Sequence, residues 1–173
     1  TATVAALWLA PQLVRFQAEH PEITLRVTTL YAPVDFGQDG VDIELRYGPG
    51  NWPGVKAHKL ADEMYFPVAS PAYLNQARPL NCPADLMHHR LIHVLGEREG
   101  WGSFLRHFSV ADPPVSEGLQ CDSQIVALHA CIAGGGVMLG DAPVALTAAR
   151  LAAAGVLVVG GRSLTSLGAA PRS

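Results

Sequence analysis

The side chains best equipped for chemistry form a few small groups. Cys82, His88, His89 and His93 carry metal-ligating atoms, and His89 and His93 are four residues apart. The stretch between them reads as a change from helix to strand, so no compact four-ligand set emerges and no metal is expected. A solvated histidine cluster accounts for them. Gly134-Gly135-Gly136 lacks a following Lys-Ser or Lys-Thr and does not open a helix. That excludes a phosphate-binding P-loop and leaves a helix stop. Ser70, Ser123 and Cys121 have no nucleophile-elbow glycines beside them, so no catalytic triad assembles and no enzyme or cofactor is expected. Asp35, Asp39, Asp42 and Glu44 are a local acidic group, most simply a solvated edge.

Hydroxyls at helix starts offer a different chemistry. Thr3 and Ser123 each precede a helical stretch, where the positive dipole end and unpaired N–H groups favour an anion. Ordinary capping uses the same hydroxyls, and the two roles can coexist. Thr29 ends an alternating stretch, at the carboxyl edge where α/β sheets take ligands, although a cross-strand pair is the plainer role. Arg46 and Tyr47 end the next such stretch. Arg46 could clamp a carboxylate or join an ordinary ion pair.

The elements that would position these residues follow from periodicity. Residues 1–20 read as a helix with Thr3 as N-cap, and Leu9, Leu13 and Phe16 at helical spacing. Pro11 should break or kink it unless a new turn starts there, and His20-Pro21 ends it. Residues 23–29 and 41–47 alternate as strands, with a short helix over 34–38 between them. Residues 55–60 and 64–68 are further strands, and Ser70-Pro71 starts a helix. Another begins at Pro83 with Cys82 in the cap position. Then come a strand over 91–94, a helix over 101–108 and a polar loop over 112–117. Asp122 or Ser123 caps a helix that runs to Ala133 and stops at the glycines. A buried strand over 137–139, a helix over 143–154 and a strand over 156–159 complete the pattern. Strands alternating with helices predict an α/β fold with a mostly parallel sheet.

Composition narrows the function class. With 173 residues, 49% of them hydrophobic, the chain can build one domain or two small lobes. Its net charge is −3 and its 12 Lys and Arg are scattered singly, so no basic stripe for nucleic acid is present. Three cysteines without metal spacing fit a reduced, cytoplasmic chain. No apolar run long enough to span a membrane occurs, and the apolar start lacks the basic region of an export signal.

Ordered segments then point to one family. Trp8-Leu9-Ala10-Pro11-Gln12-Leu13 with Phe16 and His20-Pro21, Val34-Asp35-Phe36, Gly40-Val41-Asp42-Ile43, and Arg46-Tyr47-Gly48 come first. Trp52-Pro53-Gly54, Phe66-Pro67-Val68-Ala69-Ser70-Pro71, Pro83-Ala84-Asp85-Leu86 and the stretch 130–140 follow in order. Together they resemble the regulatory domain of LysR-type transcription regulators, nearest the branch of glycine-cleavage activators and β-lactamase regulators. The resemblance implies two Rossmann-like lobes, arranged as in periplasmic binding proteins, with a ligand cleft between them. Residues 1–68 and 156–173 would form lobe I, and residues 69–155 lobe II.

The same resemblance implies a sensor of a small anionic or zwitterionic metabolite. Thr3 and Ser123 align with effector-contacting positions, and Asp35 with a pocket-edge position where a carboxylate could accept a hydrogen bond. The ordinary role of Asp35 is another helix cap. Family members act as homodimers or homotetramers and bind DNA through an N-terminal winged helix-turn-helix that this sequence does not contain. The family's first strand would lie ahead of Thr1, and residues 160–173 lack its aromatic strand and closing helix. A solute-binding receptor of a transport system, with the same fold, is the alternative. A small hydrolase or transferase comes third, disfavoured by the missing nucleophile constellation.

Overall fold

The first helical run carries a proline that an uninterrupted α-helix would not accept. Pro11 has no N–H, and its ring would press on the carbonyl four residues back. In the computed structural model the run divides into α1 (Ala2–Val4), a wide π turn (Ala5–Leu9) and α2 (Ala10–Glu19). The Ala10 N–H bonds to the Ala5 carbonyl, five residues back. Pro11 thus falls in the first turn of α2, where its missing donor costs nothing. Of the two outcomes expected for Pro11, the new turn is realised. Thr3 lies inside α1 instead of capping it, which corrects its expected place. At the far end the His20 N–H bonds to the Phe16 carbonyl at 2.8 Å, and the Gln17 amide reaches the Ile23 carbonyl at 2.7 Å.

The structure describes residues 2–29, 32–60, 64–96, 100–110, 117–142, 157–158 and 170–171. The chain divides into two units, Thr1–Asp62 and Glu63–Ser173. In the first, the strands expected over 23–29, 41–47 and 55–60 are absent: the described residues there form no ladder. Ile23, Val27, Ile43 and Leu45, whose alternation suggested a buried face, are exposed. Alternation describes side-chain faces, whereas a strand also needs a partner to pair its backbone. The helix expected over 34–38 is a hydrogen-bonded turn, in which Gln38 and Asp39 donate to the Asp35 carbonyl at 3.0 and 2.8 Å. The six residues between Pro33 and Gly40 are too few to repay helix nucleation.

The second unit is a mixed sheet with helices. Its strands are β1 (Met64–Ala69), β2 (Leu91–Val94), β3 (Leu119–Cys121), β4 (Val137–Ala142), β5 (Leu157–Val158) and β6 (Ala170–Pro171). They lie in the order β3-β2-β4-β1-β5, and β6 also pairs with β1. β2 runs parallel to β3 and β4, but β1 runs antiparallel to β4, β5 and β6. The expected mostly parallel sheet is therefore corrected to a mixed one, because a period-2 pattern fixes faces and carries no direction. Tyr65, Phe66, Val68 and Ala69 are buried in succession, as a strand covered on both faces requires. The expected helix over 143–154 lies outside the described residues, as does the loop over 112–117 except Glu117.

Local chemistry sets the helix ends. Ser70 caps α3 (Pro71–Leu74), its hydroxyl accepting the Tyr73 N–H at 3.3 Å. The 3-10 turn Pro83–His88 is opened by Asp85, whose Oδ2 accepts the N–H groups of Asn81 and Cys82 at 2.8 and 2.9 Å. Those two N–H groups also hold the Asp85 carboxyl below its ordinary pKa. Helix α4 (Trp101–His107) buries Trp101, Phe104 and Leu105 at positions i, i+3 and i+4. Trp101 Nε1 donates to the Ile92 carbonyl at 2.9 Å, tying α4 to β2. Val110 and Ser109 return their N–H groups to the Leu105 and Arg106 carbonyls, a Schellman closure with Ser109 at φ 59°.

Candidate functional site

Strands β2, β3 and β4 point the same way, so Val94, Cys121 and Ala142 mark one carboxyl edge of the sheet. Helix α5 (Gln124–Ile132) follows β3 directly and packs across β2, β3 and β4, so its N-terminus stands at that edge. In parallel α/β sheets this is where ligands meet helix N-termini. The helix closes with Gly134 at φ 85°, as Gly134 and Gly135 donate to the Cys131 and Ala130 carbonyls at 3.0 and 2.9 Å. The glycine run is a helix stop, as its sequence implied.

Ser123, and not Asp122, occupies the N-cap position, with φ −138° and ψ 132°. Its carbonyl accepts the Ala127 N–H at 3.0 Å, the first bond of the helix. Its hydroxyl makes no capping bond, in contrast to Ser70 at the start of α3. Beside it Gln124 is only 7% exposed. Sequence reasoning passed over Gln124. The signal was its place at the head of the stripe Gln124, Ala127, Leu128 and Cys131, the buried face of α5.

The remaining candidates lie in the first unit. Thr3 is 9% exposed and its Oγ1 is buried without a hydrogen-bond partner among the described residues. An unmet buried hydroxyl costs about 1–3 kcal/mol and calls for an explanation. Asp35 is exposed; its Oδ1 accepts the Gly37 N–H at 2.9 Å and its own N–H bonds to Asp39 Oδ2 at 2.8 Å. It therefore stabilises a turn, close to its expected capping role. Arg46 pairs with Glu44 at 3.3 Å, the plainer of its two expected roles. Tyr47 is 51% exposed and Thr29 is exposed. Neither they nor Arg46 end a strand, which corrects the reason for singling them out. Thr29, Asp35, Arg46 and Tyr47 are thus all exposed.

The expected histidine cluster separates. His89 is buried and its Nδ1 lies 3.1 Å from the Tyr73 hydroxyl, while His93 Nε2 lies 3.1 Å from the Glu117 carbonyl. Burial lowers the His89 pKa, against the Pro79 carbonyl and Asp85, which raise it. Cys82 is exposed, whereas Cys131 is buried against β1 with its thiol 3.5 Å from the Val68 carbonyl. Among the described residues no three of His, Cys, Asp and Glu gather to hold a metal ion. No described helix is long and apolar enough to cross a membrane.

An α/β unit with an uncapped helix start at the carboxyl edge of its sheet belongs to the class of ligand-binding domains. The chain belongs to the LysR substrate binding domain family, which residues 1–161 match. It is 35% identical to the glycine cleavage system transcriptional activator of Escherichia coli K12 over 134 residues, 78% of this chain and 44% of that protein. It is 34% identical to the transcriptional activator AmpR of Pseudomonas aeruginosa over 146 residues, 84% of this chain and 47% of that protein. The chain thus spans about half the length of the curated relatives it matches. The effector domain of P. aeruginosa AmpR superposes with a TM-score of 0.67 at 31% identity, covering 90% of this chain and 73% of that one. An effector-binding domain from Citrobacter freundii, studied with a threonine-to-valine, a serine-to-alanine and a tyrosine-to-phenylalanine substitution, gives 0.69 at 28% identity, covering 96% of this chain and 81% of that one. The family is one of ligand-sensing transcription regulators, and the fold class and branch expected from the ordered segments hold.

Proposed function

We propose that this chain senses a small anionic or zwitterionic metabolite through the hydroxyls of Thr3 and Ser123, as part of a LysR-type DNA-binding transcription regulator. The observation that carries the reading is the state of these two hydroxyls among the described residues. Thr3 Oγ1 is buried with no partner, and Ser123 Oγ leaves the first-turn N–H groups of α5 uncapped. A helix start with unmet donors and a free hydroxyl suits a carboxylate or similar anion. The substitutions made in the C. freundii domain remove a threonine and a serine hydroxyl, the two residue types this reading invokes. In the family's architecture the effector lies between two lobes, which here would be residues 1–68 with 156–173 and residues 69–155.

Asp35, Arg46, Tyr47 and Thr29 remain secondary candidates for the rim of such a site. In the longer protein a winged helix-turn-helix ahead of this domain would bind DNA, with the whole acting as a homodimer or homotetramer in the cytoplasm. The effector would act by population shift, its unequal affinity for two conformations supplying the energy that moves the attached DNA-binding parts. The relatives are transcriptional activators, which leaves the transport-receptor alternative without support.

Thermal-shift screening of the chain against a metabolite panel tests the proposal. A ligand at one hundred times its dissociation constant adds about 2.7 kcal/mol to stability. The reading expects a small carboxylate or zwitterion to raise the melting temperature. A panel in which only cations or uncharged compounds do so would contradict it.

A further inference from the structure

Away from the candidate effector site, one buried titratable group is short of partners. His89 is 9% exposed, and its Nε2 is fully enclosed with no hydrogen bond among the described residues. Its Nδ1 lies 3.1 Å from the Tyr73 hydroxyl, whose oxygen also accepts the Arg90 N–H at 3.0 Å. The two rings meet at 59° with centroids 5.8 Å apart. A neutral imidazole has one donor and one acceptor, so this setting leaves at most one nitrogen unmet. An imidazolium brings a charge and a second N–H donor. The oxygen it touches is already engaged by Arg90.

Position turns this group into part of a joint. His89 follows the 3-10 turn Pro83–His88 in extended backbone, two residues before β2 begins. Its neighbour Arg90 is held by its N–H on the Tyr73 oxygen, by its guanidinium over the Tyr73 ring at 5.2 Å, and by a 3.0 Å bond to the Gly134 carbonyl beyond α5. The charges facing the imidazole come from each neighbouring segment. Asp85 in the 3-10 turn and the Pro79 carbonyl favour the imidazolium. Burial opposes it most, followed by His88 and Arg78. Arg90 adds a fixed positive charge over the tyrosine that His89 shares. His88 and Arg90 on either side are exposed, so water lies one residue away in both directions.

We propose that His89 is an acid-operated latch: a proton taken from solvent drives its ring out to water, freeing the Arg90 N–H and the Tyr73 ring while the β1–β4 ladder stays intact. Loss of the proton lets the ring return. The enclosed ring holds its proton less tightly than an exposed ring, whose pKa is the ordinary 6.5. The closed form is therefore fully favoured above about pH 6.5, and opening grows up to about tenfold per pH unit below it. An open latch removes the platform under the Arg90 guanidinium and so loosens its hold on Gly134, where α5 stops. A buried histidine that flips a local contact is a known physical form of pH switch.

Amide hydrogen exchange by nuclear magnetic resonance on the full 173-residue chain tests this. Protection of each amide is compared between about pH 7.5 and about pH 5.5 after correction for the intrinsic exchange rate. The Arg90 N–H should lose protection about tenfold toward acid, while the amides of the β1–β4 ladder hold within about twofold. In His89→Gln, which carries no proton to gain, the Arg90 amide should respond no more than the ladder does. His89→Leu serves the same purpose if the glutamine variant does not fold, and a native far-ultraviolet circular dichroism spectrum shows which variants have. An Arg90 amide indifferent to pH overturns the proposal. Parallel loss at Arg90 and throughout the ladder also overturns it, since that is global unfolding. The same selective loss at Arg90 in a folded His89 variant assigns the opening to another group and overturns it too.

Discussion

The Tyr73 hydroxyl accepts the Arg90 backbone N–H at 3.0 Å and lies 3.1 Å from Nδ1 of His89. The phenol oxygen thus serves both the Arg90 N–H and the buried His89 ring. The Arg90 guanidinium stacks on the Tyr73 ring at 5.2 Å and donates to the Gly134 carbonyl at 3.0 Å. One tyrosine therefore joins α3, the start of β2 and the carboxyl end of α5. Tyr73→Phe strands the buried His89 nitrogen and the Arg90 N–H together. Urea denaturation is expected to show a loss of about 1–3 kcal/mol, and a change below about 0.5 kcal/mol would contradict the account.

The same contact predicts a pH dependence. Burial holds the His89 pKa below its ordinary 6.5; His88 and Arg78 add to the fall, and the Pro79 carbonyl and Asp85 oppose it. The unfolded chain thus takes up this proton at a higher pH than the folded chain does. The stability contribution is complete above about pH 6.5 and declines as pH falls through that value toward the lower folded-state pKa. The urea midpoint should drop between about pH 7.5 and about pH 5.5, and drop less in His89→Gln. A parallel decline in both proteins would assign the effect to other groups.

Cysteine reactivity separates the three thiols. Burial pushes the Cys131 pKa up to about 11, so at pH 8 only about one thiol in a thousand is ionised. Burial, aided by Asp122, also raises that of Cys121. Cys82 is exposed. Iodoacetamide at pH 8 followed by peptide mass spectrometry should label Cys82 first and Cys131 only under denaturing conditions. Early labelling of Cys131 would show that α5 does not rest on β1 as described.

Two glycines two residues apart should respond differently to alanine. Gly136 has φ 151°, and a Cβ there would run into the Arg90 carbonyl oxygen, which also accepts the Val137 N–H at 2.8 Å. Gly134 has φ 85° with nothing near its missing Cβ. Gly134→Ala carries only the left-handed backbone penalty, about 1 kcal/mol. Gly136→Ala adds a clash with a ladder backbone and should cost at least about 2 kcal/mol. Thermal unfolding of both variants checks the order, and equal losses would contradict it.

Much of the second unit was legible because its signals are local. Ser70-Pro71 announced α3, the glycine run announced the end of α5, and buried apolar runs announced β1, β2 and β4. Strand direction was not legible, since the apolar run of β1 reads alike whether its neighbours are parallel or antiparallel. In the first unit the alternation at 23–29 and 41–47 does not become strands, because a ladder depends on a partner that no local pattern contains. Within the site, Ser70 and Ser123 are the same residue type at the same helical position, yet only Ser70 closes its cap. The two caps differ in backbone, Ser70 at φ −78° and Ser123 at φ −138°, a difference that residue type does not announce. Gln124 was missed because glutamine in a helix is ordinarily solvated, and only its register with Ala127, Leu128 and Cys131 marks it as buried.

The central claim, that Thr3 and Ser123 hold their hydroxyls for an effector, is tested most directly by isothermal titration calorimetry. The titrant is the metabolite that stabilises the unaltered chain most, and the proteins are that chain, Thr3→Val and Ser123→Ala. Each variant should bind about tenfold more weakly. Without ligand, Thr3→Val should melt no lower than the unaltered chain, since it removes an unmet buried hydroxyl. Unchanged affinity in both variants would contradict the account.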